Sequence, residues 1–282
     1  MRARERENSR ALLWEPSPEA VRDSRMAAFA RWVEESRGLS LSGFTSLHEW
    51  SISDLDGFWG AVWEHFDIVA SAQGECALRA HTMPGAEWFP GARLNYAENT
   101  LRWARTSPHE LAVIGEHETR ERLEWTWSDL EARVASLAQR LRDLGVVRGD
   151  RVAGVLPNIP ETVVALLATA SVGAVWSVVN TDFGPAGVAD RFAQIEPKVL
   201  FVVDGYEFGG TVRDMTGSYD ALLGVLPSVE QLIVVDQMGD GDVGPLPDSA
   251  LRLSGVLGEP AEPCYEQVPF EHPLWILYSS GT

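Results

Sequence analysis

Residues 151–179 decide the fold of this chain, and they read RVAGVLPNIPETVVALLATASVGAVWSVV. An apolar segment of strand length, Val152–Leu156, is followed by Pro157-Asn158-Ile159-Pro160-Glu161, whose prolines are typical of the start of a helix. This helix is predicted to end near Gly173, and Ala174–Val179 is a second apolar segment of strand length. Short apolar strands separated by a helix predict a parallel sheet that is covered on both faces.

The strand–helix alternation extends towards the N-terminus. Leu111–Gly115 and Leu123–Thr126 flank a polar turn and predict a β-hairpin. Ser128-Asp129-Leu130-Glu131 has the pattern of a capping box and predicts a helix that ends before Gly145. The helix has one apolar stripe, formed by Leu130, Val134, Leu137, Ala138, Leu141 and Leu144.

The alternation also extends towards the C-terminus. The pattern predicts a helix over Ala186–Ile195 and strands at Val199–Val203, Leu232–Val235 and Leu274–Tyr278. Residues 237–264 are rich in Gly, Pro and Asp and predict a loop. The expected fold class is α/β, with a largely parallel sheet, flanking helices and a small helical cap before it.

Two segments of the N-terminal region predict helices. The first is Ser17–Glu35, in which Met26, Phe29, Ala30 and Val33 share one face. The second lies within the aromatic-rich Ser46–Phe66, where Phe58, Trp59, Trp63 and Phe66 have the spacing of a buried helix face. We expect residues 1–35 to form an N-terminal extension, 36–100 a cap region and 101–282 the first part of the main domain.

Composition excludes several classes of protein. The net charge of −18 argues against a nucleic-acid-binding surface. Cys76 and Cys264 lie far apart and are expected to be reduced, buried or half-buried thiols, and no histidine spacing predicts a metal site. The N-terminus has no apolar signal segment, and the uncharged Thr162–Thr181 is polar enough to favour a buried helix and strand over a membrane span. We therefore expect a cytoplasmic protein.

The last nine residues predict a phosphate-binding loop. The apolar run from Leu274 to Tyr278 leads directly into Ser279, Ser280, Gly281 and Thr282. Small residues let backbone N–H groups approach an anion closely, and the Ser and Thr hydroxyls add donors. An ordinary turn remains the alternative, because short Ser/Gly/Thr strings are common in turns.

Other motifs carry less information. Asp182-Phe183-Gly184 lacks the companion motifs of a protein kinase and predicts a strand-to-helix corner, which Gly184-Pro185 would turn. Gly205 and Gly209-Gly210 do not have the spacing of a dinucleotide-binding fingerprint. No catalytic residue can be named from the sequence.

Taken together, several segments resemble one family. The chain is similar to the acetoacetyl-CoA synthetases, which belong to the adenylate-forming acyl-CoA synthetases, over roughly residues 40–282. The resemblance lies in Trp88–Asn99, Gly149–Ala153, Pro157–Glu161, Ala168–Ser177, Asp182–Gly184, Arg191–Leu200, Val203–Tyr206 and Pro273–Thr282.

The resemblance implies a two-step reaction. Acetoacetate and ATP would give an acyl-adenylate and pyrophosphate, and the thiol of CoA would then displace AMP, with Mg²⁺ and the loop at Ser279, Ser280, Gly281 and Thr282 holding the ATP phosphates. In this family the loop continues through a second Thr-Gly and a Lys, so residues 1–282 by themselves are expected to be inactive. Thr211 departs from the family, which often has a basic residue there that can meet a CoA phosphate.

Two alternatives remain open. One is the N-terminal part of an acetyl- or propionyl-CoA synthetase, since the residues that select the acyl group are expected mostly after Thr282. The other is a non-catalytic remnant that acts at most as a binding module.

Overall fold

The computed structural model describes residues 12–238 and 244–279 of the chain. The chain forms two compact units, one of Met1–Ile68 with Cys76–Trp88 and one of Val69–Glu75 with Phe89–Thr282. These units are defined by compactness, whereas the expected divisions after residues 35 and 100 are boundaries between regions of the sequence. Those divisions stay predictions. Among the described residues, no helix combines the length and the apolar character that crossing a membrane requires.

From Leu12 onwards, the first unit contains four helices: α1 (Pro18–Arg22), α2 (Arg25–Arg37), α3 (Phe44–Ser53) and α4 (Leu55–His65). The prediction of a single helix over Ser17–Glu35 was wrong, because the chain breaks at Asp23 and Ser24. The Ser24 hydroxyl caps α2 by accepting a hydrogen bond from the Ala27 N–H at 3.1 Å. Phe29 and Val33 are buried as predicted, but the Met26 side chain is 53% exposed.

The aromatic segment is also divided into two helices. Asp54 lies between α3 and α4, and its carboxylate accepts the Gly57 N–H at 3.0 Å. Trp63 is buried, whereas Trp59 and Phe66 are 40% and 42% exposed, so the prediction of one buried face was wrong. The unit has a small core, formed by Phe29, Val33, Leu47 and Ala61, which is too small to cover all of these large rings.

The second unit begins with short elements and the predicted hairpin. In chain order these are β1 (Ala70–Ala72), β2 (Arg93–Leu94), α5 (Tyr96–Leu101), α6 (Trp103–Thr106), β3 (Leu111–Gly115), β4 (Leu123–Thr126) and α7 (Trp127–Asp143). The pairing of β3 with β4 is antiparallel and confirms the hairpin. The stripe on α7 is buried as predicted except for Leu144, which is half-buried at the end of the helix, and Gly145 follows with φ 74°.

The start of α7 differs from the prediction. Thr126, two residues before Ser128, is the N-cap, and it forms a capping box with Asp129. The Asp129 N–H donates to the Thr126 hydroxyl oxygen at 3.2 Å, and the Thr126 N–H donates to the Asp129 carboxylate at 3.0 Å. The predicted box therefore fails because Ser128 already lies in the first turn of the helix.

The remaining elements build the main sheet and its cover. They are β5 (Arg151–Val155), α8 (Pro160–Val172), β6 (Val175–Val179), α9 (Pro185–Phe192), β7 (Val199–Val203), β8 (Gly205–Phe208), β9 (Thr211–Asp214), α10 (Tyr219–Val225), β10 (Gln231–Val235), β11 (Leu251–Arg252), α11 (Leu253–Leu257), β12 (Val268–Pro269) and β13 (Trp275–Ile276). Residues 237–264 were predicted as a loop, but they include β11 and α11. Within this range, residues 239–243 lie outside the described part of the chain.

Six parallel strands form the main sheet, in the order β11-β10-β7-β5-β6-β13. The expected α/β class with a largely parallel sheet is confirmed. Alternate strand residues face two cores: Phe201 and Ile233 pack with α7, α8 and α11, whereas Leu200 and Leu232 pack with α9 and α10. The strand order reverses at β5, since β6 lies on one side of it and β7 on the other. In open α/β sheets, ligands bind outside the carboxyl ends of the strands at such a reversal.

The two cysteines were expected to be buried or half-buried. Cys76 is half-buried, but Cys264 is exposed, so the expectation was wrong for the second thiol. Cys264 lies in an irregular segment before β12.

Candidate functional site

A cavity of about 290 Å³ lies at the carboxyl edge of the sheet, where the parallel strands end. We call it the edge cavity. Its wall comes from Asn158 after β5, from Asn180 and Asp182 after β6, and from Gln237 after β10. Tyr206 on β8 also contributes. The cavity is therefore built where the fold predicts ligand binding.

The loop after β6 is held by its own polar side chains. The Asn180 amide nitrogen donates to the Asp182 carboxylate at 3.1 Å, and the Thr181 hydroxyl donates to the Asn180 amide oxygen at 3.2 Å. Gly184 is the N-cap of α9 and Pro185 is its first residue, which confirms the predicted strand-to-helix corner. The segment that resembles a kinase motif thus turns the chain at the rim of the edge cavity.

Asp204 joins the ends of two strands. It follows β7, is 1% exposed, and its Oδ1 accepts the N–H groups of Gly205 and Gln237, each at 2.8 Å. The Met238 N–H donates to the same carboxylate at 3.2 Å. Burial raises the pKa of Asp204, and the three N–H donors act in the opposite direction. Because it holds Gln237 and the start of β8, Asp204 positions two parts of the cavity wall.

A hairpin formed by β8 and β9 projects beside the edge cavity. Its turn is Gly209-Gly210, with φ values of 58° and 69°, which only glycine adopts readily. The Gly209 and Gly210 N–H groups donate to the Glu118 carboxylate at 3.2 and 3.1 Å. These two bonds lower the pKa of Glu118. Glu118 belongs to the turn between β3 and β4, so the two hairpins are fastened to each other.

The sequence motifs did not identify Glu118, Asp204 or Gln237. The two adjacent glycines between short alternating segments are a hairpin signal that would have found β8 and β9. The contact with Glu118 has no local signal, since it joins residues 91 and 92 positions apart.

The predicted phosphate loop follows the edge strand β13. This strand pairs in parallel with β6, and the Ser177 hydroxyl donates to the Ile276 carbonyl at 3.0 Å. The Tyr278 hydroxyl donates to the Arg191 carbonyl at 2.9 Å, and burial raises the pKa of Tyr278. These contacts bring Ser279, which is exposed, to the carboxyl edge of the sheet.

The other three predicted site residues, Ser280, Gly281 and Thr282, lie outside the described residues. An exposed Ser three residues after the end of a parallel strand is compatible with a phosphate-binding loop at the carboxyl edge of the sheet. Within residues 12–238 and 244–279, no group of three or more His, Cys, Asp or Glu side chains could hold a metal ion.

The fold and the edge cavity define an α/β protein with a doubly covered parallel sheet and a cavity at the carboxyl ends of its strands. The chain belongs to the AMP-binding enzymes, because the model of that family matches residues 101–282. The family model named "Acetyl-coenzyme A synthetase N-terminus" matches residues 44–100.

Similar proteins carry closely related names. The acetoacetyl-coenzyme A synthetase of Rhizobium meliloti is 41% identical over 96% of this chain and 41% of its own length. The malonamoyl-CoA synthetase of Penicillium aethiopicum is 37% identical over 96% of this chain and 39% of its own length. The solved structure of acetoacetyl-CoA synthetase from Streptomyces lividans has a TM-score of 0.90 and 48% identity, covering 95% of this chain and 41% of that protein. The chain thus spans about two-fifths of the length of these relatives.

Proposed function

We propose that this chain is the N-terminal part of an ATP-dependent ligase that forms acetoacetyl-CoA from acetoacetate and CoA. The observation that carries the proposal is the strand β13, which leads from the parallel sheet to Ser279 at the carboxyl edge. Support also comes from the membership in the AMP-binding enzymes and from the acetoacetyl-CoA synthetases among the similar proteins.

In the proposed first step, a carboxylate oxygen of acetoacetate attacks the α-phosphorus of ATP and pyrophosphate leaves. In the second step, the sulfur of CoA attacks the acyl carbon and AMP leaves. Ser279, Ser280, Gly281 and Thr282 would donate hydrogen bonds to the ATP phosphates, which stabilises the negative charge on the phosphoryl oxygens. Tyr278, anchored on the Arg191 carbonyl at 2.9 Å, would hold the start of this loop in place.

Mg²⁺ is proposed to arrive with ATP, because divalent cations neutralise phosphate oxygens in phosphoryl transfer. Its proposed ligands are the phosphates and residues outside the described part of the chain. Removal of Mg²⁺ with a chelator is expected to abolish adenylate formation. The cytoplasm, which supplies ATP and CoA, is the proposed location.

A second candidate substrate is malonamate. A malonamoyl-CoA synthetase is 37% identical to this chain, and malonamate, like acetoacetate, carries a carbonyl group two bonds from its carboxylate carbon. Acetate and propionate lack this second carbonyl and serve as the third possibility, which the match to an acetyl-coenzyme A synthetase N-terminus keeps open.

The test is a substrate panel with the complete protein that contains this chain. We expect AMP release that depends on CoA and is fastest with acetoacetate, compared with malonamate, acetate and propionate. A preference for one of the other three acids would correct the substrate and keep the reaction. No AMP release with any acid would favour the non-catalytic binding module instead.

A further inference from the structure

A second cavity, of about 460 Å³, lies among α7, α8, α11 and the end of β10. We call it the side cavity. Three of its lining residues are buried and apolar: Trp125, Val235 and Leu253. Leu257 adds an apolar wall, and Glu161 adds a carboxylate. Arg133, Asp236 and Ser254 make the wall a mixed one, and a cavity of this size has room for a small molecule.

Two of the charged groups at the side cavity already have partners. Asp236 accepts hydrogen bonds from the Arg252 guanidinium and, at 3.2 Å, from the Ser254 N–H. Arg133 lies over the Trp125 ring, with its guanidinium carbon 4.5 Å from the ring centre. The Arg133 Nη1 is also 3.8 Å from a carboxylate oxygen of Asp129. Neither group is therefore well placed to bind a charged ligand strongly.

Glu161 differs from both. It is half-buried in the first turn of α8, and in the described part of the chain no Lys, Arg or His nitrogen lies within 4.0 Å of its carboxylate. Its side-chain hydrogen-bond partner is the neutral amide of Gln237, at 3.4 Å. Burial raises the pKa of Glu161. This rise is reduced by a hydrogen bond from the backbone N–H of Glu161 and by the positive charges of Arg120 and Arg133. A half-buried carboxylate that has no cation within 4.0 Å among the described residues is costly to keep ionised, so a cation that enters the cavity would be stabilised there.

We propose that the side cavity binds a small organic amine whose protonated nitrogen pairs with Glu161 and whose apolar body lies on Leu253 and Leu257. The site favours a cation because Arg133, the cation on its wall, already contacts Trp125 and Asp129, whereas Glu161 has no ion pair among the described residues. ATP and CoA are anions and would be repelled, so this site is distinct from the proposed nucleotide site. The inference does not depend on the proposed function.

The site also has a physical link to the edge cavity. Gln237 lines the edge cavity, and its side chain donates to Glu161 and accepts a hydrogen bond from Arg120 at 3.3 Å. An amine that pairs with Glu161 would compete for the oxygen that holds Gln237. Occupancy of the side cavity is therefore expected to change the position of the Gln237 side chain.

The test uses three probes of nearly equal size: benzylamine, benzyl alcohol and benzoate. Their binding to the complete protein is measured by isothermal titration calorimetry near neutral pH. We expect benzylamine to bind at least about tenfold more tightly than either of the other two, which corresponds to one electrostatic contact of about 1.4 kcal/mol. Equal affinities for the three probes, or no binding of benzylamine, would overturn the proposal.

Three variants locate the site. Glu161→Gln is expected to remove the preference for benzylamine, whereas Glu230→Gln, at an exposed carboxylate before β10, is expected to leave it unchanged. Leu257→Trp places a larger ring in the side cavity and is expected to weaken benzylamine binding by at least about tenfold. A preference for benzylamine that survives both Glu161→Gln and Leu257→Trp would show that the amine binds elsewhere.

If one variant does not fold, the comparison of the three probes on the unchanged protein still tests whether a protonated amine is preferred.

Discussion

At the scale of single residues, Asp204 shows how one buried side chain shapes the edge cavity. Its carboxylate accepts three backbone N–H groups, one from the start of β8 and two from the segment after β10. A buried carboxylate is tolerated because such donors replace its hydration. The sequence shows only an Asp after an apolar strand, and Gln237 lies 33 positions away. The role of Asp204 thus depends on a parallel pairing that no local pattern reveals.

Leu137 tests the packing of α7 on the sheet. Its side chain is completely buried in the core between α7, α8 and the strands. Leu137→Ala is expected to lower the free energy of unfolding by about 2–5 kcal/mol, through lost burial and the cavity left behind. The measurement is chemical denaturation monitored by circular dichroism. Leu13→Ala, at a side chain that is 95% exposed, is the control and is expected to change stability by less than about 0.5 kcal/mol. A similarly small loss for Leu137→Ala would contradict the packing.

Glu161 gives a prediction about pH. Burial raises its pKa in the folded protein above the unfolded value, so the folded state binds more protons in the window between the two values. Its contribution to stability is therefore greatest at low pH and falls as pH rises through that window. Relative to Glu161→Gln, the parent protein is expected to lose stability as pH increases from the unfolded pKa of about 4.3 towards neutrality. Urea denaturation of both proteins at a series of pH values measures this difference. A difference that is constant with pH, or that changes in the opposite sense, would show that the carboxylate is not destabilised by burial.

At the scale of elements, the hairpin, the helices α7, α8 and α9 and five of the six strands of the main sheet could be predicted. Their patterns are strong, because strands buried on both faces form short apolar runs and α7 carries a regular stripe. Elements of two to seven residues carry little periodicity, and those that were missed are β1, β2, α5, α6, β8, β9, α10, β11, α11 and β12. The breaks at Ser24 and Asp54 were also missed, because capping by one polar side chain interrupts a helix without altering its apolar spacing.

The N-cap residue of α7 in the structure differs from the one that the sequence pattern predicts. Thr126 and Ser128 are both reasonable caps, and Glu131 made Ser128 the better match to the capping box. In the structure, Thr126 is still paired with Leu111 in the hairpin, and the helix begins immediately after it. The end of β4 therefore decides where α7 starts.

This assignment predicts the effect of two substitutions. Thr126→Ala removes the acceptor of the Asp129 N–H and is expected to lower the free energy of unfolding by about 1 kcal/mol. Ser128→Ala changes a residue inside the first turn and is expected to have an effect below about 0.5 kcal/mol. Both are measured by denaturation under the same conditions. The reverse order of the two effects would restore Ser128 as the cap.

At the scale of the whole molecule, the α/β class and the parallel sheet could be predicted, but the contacts between distant segments could not. Asn95 is an example, since its side-chain amide donates to the carbonyl groups of Ala170 and Glu266, both at 2.8 Å. It thereby ties α5 to the end of α8 and to the segment before β12. The candidate site was only partly predictable for the same reason. The loop after β13 has a local pattern, whereas the edge cavity is assembled from five separate segments.

We propose that the loop at Ser279, Ser280, Gly281 and Thr282 binds the phosphates of ATP. Gly281→Val in the complete protein tests it most directly, because a side chain there would keep the backbone N–H groups away from the phosphates. The measurement is the acetoacetate-dependent exchange of labelled pyrophosphate into ATP, with circular dichroism to verify the fold. Gly224→Val, at an exposed helical glycine with no atom within 4 Å of the added Cβ, is the control and should exchange at the parent rate. We expect Gly281→Val to lower the exchange rate at least about hundredfold with an unchanged spectrum. Exchange at the parent rate by Gly281→Val would contradict it, because the loop would then be an ordinary turn.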